Sequence, residues 1–485
     1  MSADLNIEIE ANANSKANSD PNENRNPALN RDPNAPHLLP DPYPVRPFGG
    51  PINARIRPPG SKSFTNRALA VAALASGTSL LRGVLFSDDT EAMLGCLASL
   101  RIATVVDPKA CTVAVTGCGG VPNVDGVSLF VRQSGTTARF IVPLAALGHG
   151  AVVVDGHEQM RARPNGDLVE GLNQLGVRLE PTLSAVAGGL PIRMHADGIP
   201  GGSVSVAGNV SSQYLSGLLL AAPCFANGLD VSVVGELVSQ PYVDMTLATM
   251  RAFGATVETY GYQRFVVAPG GYNSCTYDIE PDASAASYFF GATAICGGRI
   301  TVEGLGSGAI QGDVAFASIL GRMGATVEQT ATETTVIVDA QLTGIEVDMA
   351  DCSDTAQTLA VVAVYAEGPT TIRGIGFIRH KEIDRVSAVV GELRRCGVDA
   401  IQDPDGFTIK PSKPSPAVVE TYNDHRMAMS FALLGLAAPG IAIAGPSCVG
   451  KTFPEFFSVL ESIRPPRTNP ALFDEGLQSE HHENP

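Results

Sequence analysis

One pattern recurs six times along this chain of 485 residues. Each copy has a small polar cluster, an apolar segment of about a dozen residues typical of a buried helix, a glycine, a short β-branched strand and a closing glycine. The closing glycines follow one another at intervals of roughly 70 to 80 residues. They are Gly83, Gly156, Gly235, Gly304, Gly374 and Gly445. Spacing of this regularity indicates six copies of one structural unit.

A second recurring piece lies between these copies: an amphipathic helix that ends in glycine and runs into a β-hairpin. Its versions are LNQLGVRLE, MRAFGATVE, LGRMGATVE and LRRCGVDAI. Their glycines keep the period of the first set and are Gly176, Gly254, Gly324 and Gly397. The unit is therefore predicted to have the order β-α-β-α-β-β.

The six apolar helices cannot face water and must be enclosed. The chain is also longer than one core usually organises, and 44% of its residues are hydrophobic while only 17% are charged. We therefore predict an α/β fold of two similar halves, each with three units around its own core, and a cleft between the halves.

The two ends of the chain differ in composition from the rest. Residues 1–44 and 466–485 are rich in Asn, Pro, Asp and Glu, and we predict that both segments are disordered. Neither has the features of a signal peptide or a transit sequence. The nine cysteines form no C-x-x-C pair, which favours reduced thiols and a cytoplasmic location.

An apolar run at residues 427–445 approaches membrane-spanning length. Pro439 and several glycines interrupt it, and charged residues directly precede it. We therefore predict a buried helix followed by a strand.

The charge balance restricts the partners of the chain. A formal charge of −16 and an isoelectric point near 4.9 argue against nucleic acids and anionic membranes. An anionic small molecule would need a local positive pocket. Each repeat opens with Ser, Thr, Gly, Asn or Asp, residues that cap a helix and leave its first N–H groups available. If the units pack by pseudo-symmetry, these positive helix ends point into the cleft and attract anions.

Basic residues gather at these helix starts and in polar segments, although the chain has only 33 of them. They are Lys62, Arg67, Arg139, Arg161, Arg163, Lys381, Arg385, Arg426 and Lys451. Arginine forks and lysine point charges suit carboxylate and phosphate groups. Asp354, Glu382 and His425 lie in the same segments and are candidate proton-transfer groups. Each carboxylate alone is more often a helix cap or a salt-bridge partner, so the cluster as a whole carries the prediction of a site for two anionic ligands.

One segment favours a different class of protein. Residues 445–452, GPSCVGKT, match the nucleotide-binding pattern G-x-x-x-x-G-K-[ST] and follow a strand-like stretch. Phe453 and Pro454 come directly after it, where a nucleotide-binding loop normally runs into a helix. A nucleotide hydrolase or kinase is therefore the less favoured interpretation.

Ten segments, in this order, resemble the successive motifs of the EPSP synthase family: GSKSFTNRAL, SGTTAR, RARPNGDLVEGL, NVSSQYLSGLL, LVSQPYVDMTL, DASAASYFF, IQGD, HKEIDR, YNDHRMAMSFALL and GKTFPEFF. The resemblance covers about residues 45–465. It implies a pair of inverted α/β barrel domains with a cleft that closes on substrate, and no metal or organic cofactor. With chain crossings placed near Gly60 and Asp278, one domain comprises residues 45–60 and 279–465 and the other comprises residues 61–278.

The resemblance also implies an activity. The enolpyruvyl group of phosphoenolpyruvate would be transferred to the 5-hydroxyl of shikimate 3-phosphate, with release of phosphate, through a tetrahedral intermediate. These two small molecules are the expected partners, and we expect a monomer.

Site residues follow from the matching motifs. Shikimate 3-phosphate would be held by Lys62, Ser63, Arg67, Ser211, Ser212, Gln213, Ser239, Tyr242, Asp354 and Lys381. Phosphoenolpyruvate would be held by Lys62, Gly135, Arg163, Gln213, Arg385, Arg426 and Lys451. Asp354 would be the base for the attacking hydroxyl, and Glu382, helped by Lys62, would handle the methylene proton.

Four residues depart from the family pattern. Gln133 and Phe377 stand where asparagine is usual, Phe140 replaces a proline, and Gln240 replaces a lysine. Phe377 bears most directly on substrate geometry, because the family's asparagine contacts shikimate. Two rival functions stay open: the sister enzyme that transfers enolpyruvate to UDP-N-acetylglucosamine, and a non-catalytic anion-binding member of the fold.

Overall fold

The computed structural model describes residues 39–180, 186 and 188–466. Most of the segments predicted to be disordered, residues 1–38 and 467–485, lie outside the described residues. Within the described part the chain forms 23 strands and 13 α-helices, joined by short 3-10 turns and loops.

The strands are β1 (Tyr43–Pro44), β2 (Ile52–Ile56), β3 (Thr78–Arg82), β4 (Ala103–Asp107), β5 (Thr112–Thr116), β6 (Val127–Phe130), β7 (His149–Asp155), β8 (Arg178–Leu179), β9 (Ile192–Asp197), β10 (Gly202–Ala207), β11 (Leu229–Val234), β12 (Val257–Tyr260), β13 (Arg264–Val267), β14 (Thr276–Asp278), β15 (Gly298–Glu303), β16 (Thr326–Gln329), β17 (Glu333–Val338), β18 (Glu346–Asp348), β19 (Thr370–Arg373), β20 (Ala400–Asp403), β21 (Gly406–Ile409), β22 (Ala417–Val419) and β23 (Ile441–Ile443). The helices are α1 (Lys62–Leu74), α2 (Asp88–Ser99), α3 (Gly135–Ala146), α4 (Glu158–Arg161), α5 (Gly166–Gln174), α6 (Ser212–Ala221), α7 (Gln240–Ala252), α8 (Ala283–Cys296), α9 (Ala315–Arg322), α10 (Ala356–Ala363), α11 (Arg385–Arg395), α12 (His425–Leu434) and α13 (Phe456–Ser462).

The strands form six sheets, five with four strands and one with three. The sheet β6-β7-β9-β8 shows the common order: β6 is parallel to β7, and β9 is antiparallel to both β7 and β8. The apolar helix α3 connects the two parallel strands, and the amphipathic helix α5 precedes the hairpin. The other four-stranded sheets repeat this order. The predicted α/β class and the β-α-β-α-β-β unit are confirmed.

Two units take their first strand from a distant part of the chain. Strand β2 is parallel to β15, and β14 is parallel to β3. The two connecting segments run side by side, since Gly60 and Pro281 form an antiparallel bridge. The Ser61 N–H donates to the Glu280 carbonyl and the Asp282 N–H to the Pro59 carbonyl, both at 2.8 Å.

The sixth unit is completed by the N-terminal strand. Its sheet has the order β1-β23-β22, and β1 pairs antiparallel with β23. The Tyr43 ring also lies 4.2 Å from the Phe457 ring, measured between centroids. Residues 39–44 were predicted to belong to the disordered extension; this part of the prediction is wrong, because Tyr43 and Pro44 supply the strand that the sixth unit lacks.

The buried apolar side chains fall into two clusters. The first runs from Phe64 to Ile279 and includes the apolar helices α1, α3 and α6. The second combines Val45 and Ile52 with residues from Ala283 to Ile463, including α8, α10 and α12. We call the first the inserted lobe and the second the split lobe. The clusters support domain boundaries at residues 45–60 plus 279–465 and 61–278, which we keep as a proposal.

Four of the amphipathic helices end in glycine because the backbone at that position is left-handed. The four hairpin glycines named above have φ between 77° and 113°, a left-handed conformation that L side chains rarely adopt. At the equivalent position after α2 the chain has Arg101, with φ of 58°. Its N–H donates to the Ala98 carbonyl and the Ile102 N–H to the Leu97 carbonyl, both at 3.0 Å. This fifth copy escaped the sequence analysis because it lacks the glycine.

The apolar run at 427–445 forms all but the first two residues of α12 and the whole of strand β23. All of α12 is buried against the core of the split lobe. None of the helices in the described ranges is both long and apolar enough to cross a membrane. The prediction of a buried helix followed by a strand is confirmed.

Candidate active site

Two adjoining cavities lie between the lobes and share Lys62 and Arg426. The arginine cavity, of about 320 Å³, is lined by Lys62, Asp89, Gly135, Thr136, Arg163, Gln213, Asp354, Lys381, Glu382, Arg385, His425 and Arg426. The tyrosine cavity, of about 450 Å³, includes Ser63, Tyr242, Ser284, Tyr288 and Asp313 in its lining. The two cavities adjoin each other at their two shared side chains.

Helix starts from both lobes converge on this site. Helices α1, α3, α6 and α12 each place first-turn residues in the arginine cavity, and α8 places Ser284 in the tyrosine cavity. Their N-caps accept hydrogen bonds from first-turn N–H groups through the side chains of Ser61, Ser134, Ser211, Asp282 and Asp424. Each helix start adds partial positive charge to the site, as the repeat pattern predicted.

The arginine cavity is positive although the chain as a whole is strongly negative. Five basic and three acidic side chains line it, whereas the formal charge of the chain is −16. Lys62, Arg163, Arg385 and Arg426, predicted from dispersed segments, all lie here. Lys451 lies next to them, with Nζ 2.9 Å from Glu382 Oε1.

Arg385 is held by three carboxylates and is only 1% exposed. Its guanidinium donates to Asp424 Oδ2 at 2.8 Å, to Glu382 Oε2 at 2.8 Å and to Asp354 Oδ1 at 3.2 Å. Burial lowers the pKa of Arg385, but the three carboxylates outweigh burial and raise it above its usual value. The side chain is thus a fixed positive charge in the wall of the site.

Arg426 links the two cavities. Its Nη2 donates to Asp354 Oδ2 at 2.6 Å and to Ser284 Oγ at 3.3 Å, while Nη1 donates to the Tyr288 hydroxyl at 3.4 Å. Asp354 Oδ2 also accepts from the Tyr242 hydroxyl at 2.8 Å, so residues of both lobes meet at this carboxylate.

Both candidate acid–base carboxylates are ionised in this arrangement. Burial raises the pKa of Asp354, but the positive charges of Arg426, Lys381, Arg385 and Lys62 outweigh it and lower the pKa below the usual value.

Glu382 behaves in the same way. Burial raises the pKa of Glu382, but the positive charges of Lys451, Arg385 and Arg163 outweigh this effect, and the pKa lies well below its usual value. Arg163 Nη1 approaches Glu382 Oε1 to 3.6 Å. Glu382 therefore provides an ionised carboxylate to which basic groups from both lobes converge.

Gly135 lets two arginines approach the start of α3. A Cβ at this position would lie 2.4 Å from Arg139 Nη1 and 2.6 Å from Arg163 Nη1. Arg139 is fixed, since its Nη2 donates to the Pro164 carbonyl at 2.9 Å. The contact that holds Arg163 is its 3.6 Å ion pair with Glu382, and the Nε atoms of both arginines are buried without a hydrogen-bond partner among the described residues.

The two lysines have different surroundings. Lys62 Nζ lies 3.4 Å from Asp89 Oδ2. Lys381 Nζ lies 5.8 Å from the centroid of the Phe377 ring, a cation–π geometry. Burial lowers the pKa of Lys381, and the nearby Asp354 carboxylate opposes this effect.

Five residues predicted to bind substrate line neither cavity: Arg67, Ser211, Ser212, Ser239 and Lys451. Arg67 is 1% exposed and donates to Thr246 Oγ1 at 2.8 Å and to the Ser63 and Tyr242 carbonyls at 2.9 Å. The Arg67 guanidinium carbon also lies 5.3 Å from the centroid of the Phe140 ring. Phe140 is one of the four residues that depart from the family pattern. Their contacts with substrate stay predictions.

Several cavity residues had no role in the sequence analysis, namely Asp89, Thr136, Asp282, Ser284, Tyr288, Gln311, Asp313 and Thr452. Asp282, Ser284 and Tyr288 belong to the DASAASYFF segment, and Gln311 and Asp313 belong to IQGD. These five residues therefore lie in segments that already matched the family motifs. They were not assigned a role because a single aspartate at a helix start is usually interpreted as a helix cap.

The lysine-containing segment that matched a nucleotide-binding pattern has another place in the structure. Pro446–Lys451 forms a short 3-10 helix. Lys451 Nζ contacts Glu382 and also donates to the Gln133 carbonyl of the inserted lobe at 3.4 Å. His425, next to Arg426, is 1% exposed, and burial holds its pKa well below normal, so the ring is neutral. Among the described residues, no group of three or more His, Cys, Asp or Glu side chains is arranged to hold a metal ion.

Comparisons with known proteins agree with this geometry. Residues 48–460 match the model of the EPSP synthase (3-phosphoshikimate 1-carboxyvinyltransferase) family. A 3-phosphoshikimate 1-carboxyvinyltransferase of Nostoc punctiforme is 44% identical over 409 residues, covering 84% of this chain and 96% of the relative. The chloroplastic enzyme of Brassica napus is 41% identical over 431 residues, covering 85% of this chain and 83% of the relative.

A solved EPSP synthase from Acinetobacter baumannii superposes with a TM-score of 0.73 at 25% identity, covering 87% of this chain and 98% of that one. The enolpyruvyl transferase NikO from Streptomyces tendae shares the fold, with a TM-score of 0.66 at 19% identity over 86% of this chain and 96% of that one. The family model, the sequence relatives and the fold agree, and the chain belongs to the EPSP synthase family of enolpyruvyl transferases.

Proposed function

We propose that this protein transfers the enolpyruvyl group of phosphoenolpyruvate to the 5-hydroxyl of shikimate 3-phosphate. One observation carries the proposal: arginines and lysines from both lobes surround two ionised carboxylates in a single cavity. Basic groups suit two anionic substrates, and the two carboxylates are the groups to which we assign proton transfer.

Phosphoenolpyruvate is bound by Arg163, Arg385, Arg426 and Lys451 in this proposal, with Gly135 and Gln213 beside them. These basic groups hold Asp354 and Glu382 in the structure described above. An incoming phosphate and carboxylate compete for the same N–H groups. As the substrate takes over these contacts, the carboxylates lose stabilising positive charge and become stronger bases.

Shikimate 3-phosphate is bound on the inserted-lobe side. Lys62, Ser63, Gln213, Tyr242 and Lys381 line the two cavities and supply its nearest polar groups. Arg67, Ser211, Ser212 and Ser239 complete the set if the phosphate and ring reach past the first turns of α1 and α6. Phe377 stands where the family has an asparagine that contacts shikimate. Its aromatic ring instead makes a cation–π contact with Lys381.

The first step adds the acceptor to the enol. Asp354 removes the proton of the 5-hydroxyl while the hydroxyl oxygen forms a bond to C2 of phosphoenolpyruvate. A proton is delivered to the C3 methylene, which becomes a methyl group. Lys62 donates it in this proposal and Glu382 stabilises the resulting charges, because Glu382 is ionised before substrate arrives. The product of this step is a tetrahedral intermediate.

The second step reverses the proton transfer at C3. A methyl proton returns to the Glu382–Lys62 pair, the C2–C3 double bond forms again, and the bond from C2 to the phosphate oxygen breaks. Arg385, Arg426 and Lys451 stabilise the departing phosphate. Contacts between the lobes, such as Tyr242 with Asp354 and Lys451 with Gln133, enclose the intermediate away from water.

The same proposal includes the setting of the enzyme. Within residues 39–180, 186 and 188–466, all nine cysteines are free thiols, which supports a reducing compartment, and we propose a cytoplasmic monomer.

The function can be tested by measuring the release of phosphate. The protein is mixed with phosphoenolpyruvate and either shikimate 3-phosphate or UDP-N-acetylglucosamine. Release with shikimate 3-phosphate alone supports the proposal; release with the nucleotide sugar alone, or with neither acceptor, refutes it.

The test of mechanism replaces the proposed base. Asp354→Asn keeps the shape of the side chain but removes the base, so kcat should fall by about 10²- to 10⁴-fold. Binding of shikimate 3-phosphate should stay measurable by calorimetry. Asp351→Asn, at an exposed carboxylate three residues earlier, is the matched control. A near-normal rate in Asp354→Asn would refute the base assignment.

A further inference from the structure

Asp313 is a buried carboxyl group beside the site, and neither the motifs nor the proposed mechanism gives it a role. It lies in the short 3-10 helix Gly312–Val314 and is only 6% exposed. The Ser284 hydroxyl donates a hydrogen bond to Oδ2. The other oxygen, Oδ1, is buried without a partner among the described residues. Such a group is costly to bury unless it has a function or a ligand.

A chain of contacts joins Asp313 to the reacting centre. Ser284 Oγ, which donates to Asp313, also accepts from Arg426 Nη2 at 3.3 Å. The same Nη2 donates to Asp354 Oδ2 at 2.6 Å. The chain therefore runs from Asp313 through Ser284 and Arg426 to Asp354, and it passes from the tyrosine cavity into the arginine cavity.

We propose that Asp313 is a positioning residue that acts through Ser284 on the Arg426 guanidinium, and that its charge state sets how readily Arg426 turns from the protein to phosphoenolpyruvate. The proposal rests on the proposed function of the site. It assigns to Asp313 no contact with the reacting atoms.

The charge state of Asp313 depends on its surroundings. Burial raises its pKa to about 7, and the Asp354 and Asp282 carboxylates act in the same direction, whereas Arg426 and the Ser284 hydrogen bond act against them. Tyr242 and Cys352 also face it, and both stay neutral because burial raises their pKa values. Below about pH 7 Asp313 is mostly neutral, and above it the side chain is an anion.

The sign of the pH effect follows from these charges. An ionised Asp313 adds a negative charge that holds Arg426 toward the protein, so phosphoenolpyruvate must compete with it. A neutral Asp313 leaves Arg426 available to the substrate. The KM for phosphoenolpyruvate should therefore rise by about tenfold as Asp313 ionises, since tenfold corresponds to one pK unit of interaction.

Asp313→Asn tests this directly, because asparagine keeps the acceptor for Ser284 but cannot ionise. We expect the KM for phosphoenolpyruvate in this variant to lie below that of the unsubstituted protein above about pH 8 and to match it near pH 6, with kcat nearly unchanged. Damage to a merely structural residue would raise KM at every pH. Titration of the substrate's own phosphate affects both proteins equally and cancels in their ratio. Asp351→Asn is the control for removing a nearby carboxylate.

Ser284→Ala gives a second measurement if Asp313→Asn does not fold, as judged by thermal melting. Loss of the hydroxyl interrupts the chain, so the pH dependence of KM should flatten here as well. An unaltered pH profile in a folded variant overturns the inference, and so does a higher KM at all pH values. These outcomes are distinct from failure of the proposed function, which would appear as absence of phosphate release in the unsubstituted protein.

Discussion

Gly135→Ala tests whether the close approach of Arg163 to α3 serves phosphoenolpyruvate. The added methyl carbon would lie 2.6 Å from Arg163 Nη1 and 2.4 Å from Arg139 Nη1, whereas ordinary contacts begin at 3.4 Å. One or both guanidinium groups must therefore move by about 1 Å. Both Nε atoms lack a hydrogen-bond partner among the described residues, but Arg139 Nη2 is held by the Pro164 carbonyl at 2.9 Å, whereas the contact that holds Arg163 is a longer ion pair of 3.6 Å. Arg163 is the group that yields.

A displacement of about 1 Å in a binding group can cost up to 10²-fold. We expect the KM for phosphoenolpyruvate to rise by about 10- to 100-fold, or about 1.4 to 2.8 kcal/mol, while the KM for shikimate 3-phosphate changes much less. Steady-state kinetics with each substrate varied in turn measures both values. Gly95→Ala is the matched control, because nothing lies within 4 Å of a Cβ at this mid-helix position. An unchanged KM for phosphoenolpyruvate in Gly135→Ala would refute the placement of Arg163 in that subsite.

Two further substitutions test local features. Arg101→Gly should raise the free energy of unfolding by up to about 1 kcal/mol, because it relieves a left-handed backbone at φ 58°; urea denaturation measures this, and a less stable variant contradicts the reasoning. Phe377→Leu removes the aromatic face from Lys381, worth about 0.5 to 2 kcal/mol, and keeps the apolar packing. The KM for shikimate 3-phosphate should rise by about 2- to 30-fold, and equal values in the two proteins would show that the ring does not position the lysine.

The repeating fold could be predicted because each unit leaves local traces in the sequence. The four hairpin glycines are required by positive φ angles, and the apolar helices are too hydrophobic to face water. Strand β1 left no such trace, since Tyr43 and Pro44 are two residues without periodicity and pair with a strand almost 400 residues away. Arg101 concealed a fifth hairpin turn, because a residue other than glycine occupies the left-handed position.

The types of residue in the candidate site could be predicted from the sequence, but the ion pairs between them could not. The basic residues at the helix starts indicated an anion site, and the structure brings most of them together. The carboxylates that pair with these basic residues were harder to predict. Asp424 has the sequence position of a helix cap, but it also forms an ion pair with Arg385 at 2.8 Å. Asp313 reads as a turn residue, and its burial becomes apparent only when the lobes are packed. Pairing of charges depends on tertiary contacts between distant segments.

The exchange of strands between distant segments sets an order of events during synthesis on the ribosome. Strand β2 must wait for β15, about 240 residues later, which takes about 12 to 50 s at typical translation rates. Strand β1 waits still longer, until β23 near the end of the chain has been made. The inserted lobe, whose strands all lie between β3 and β14, can assemble meanwhile. The split lobe therefore closes last, and it does so around an already folded neighbour.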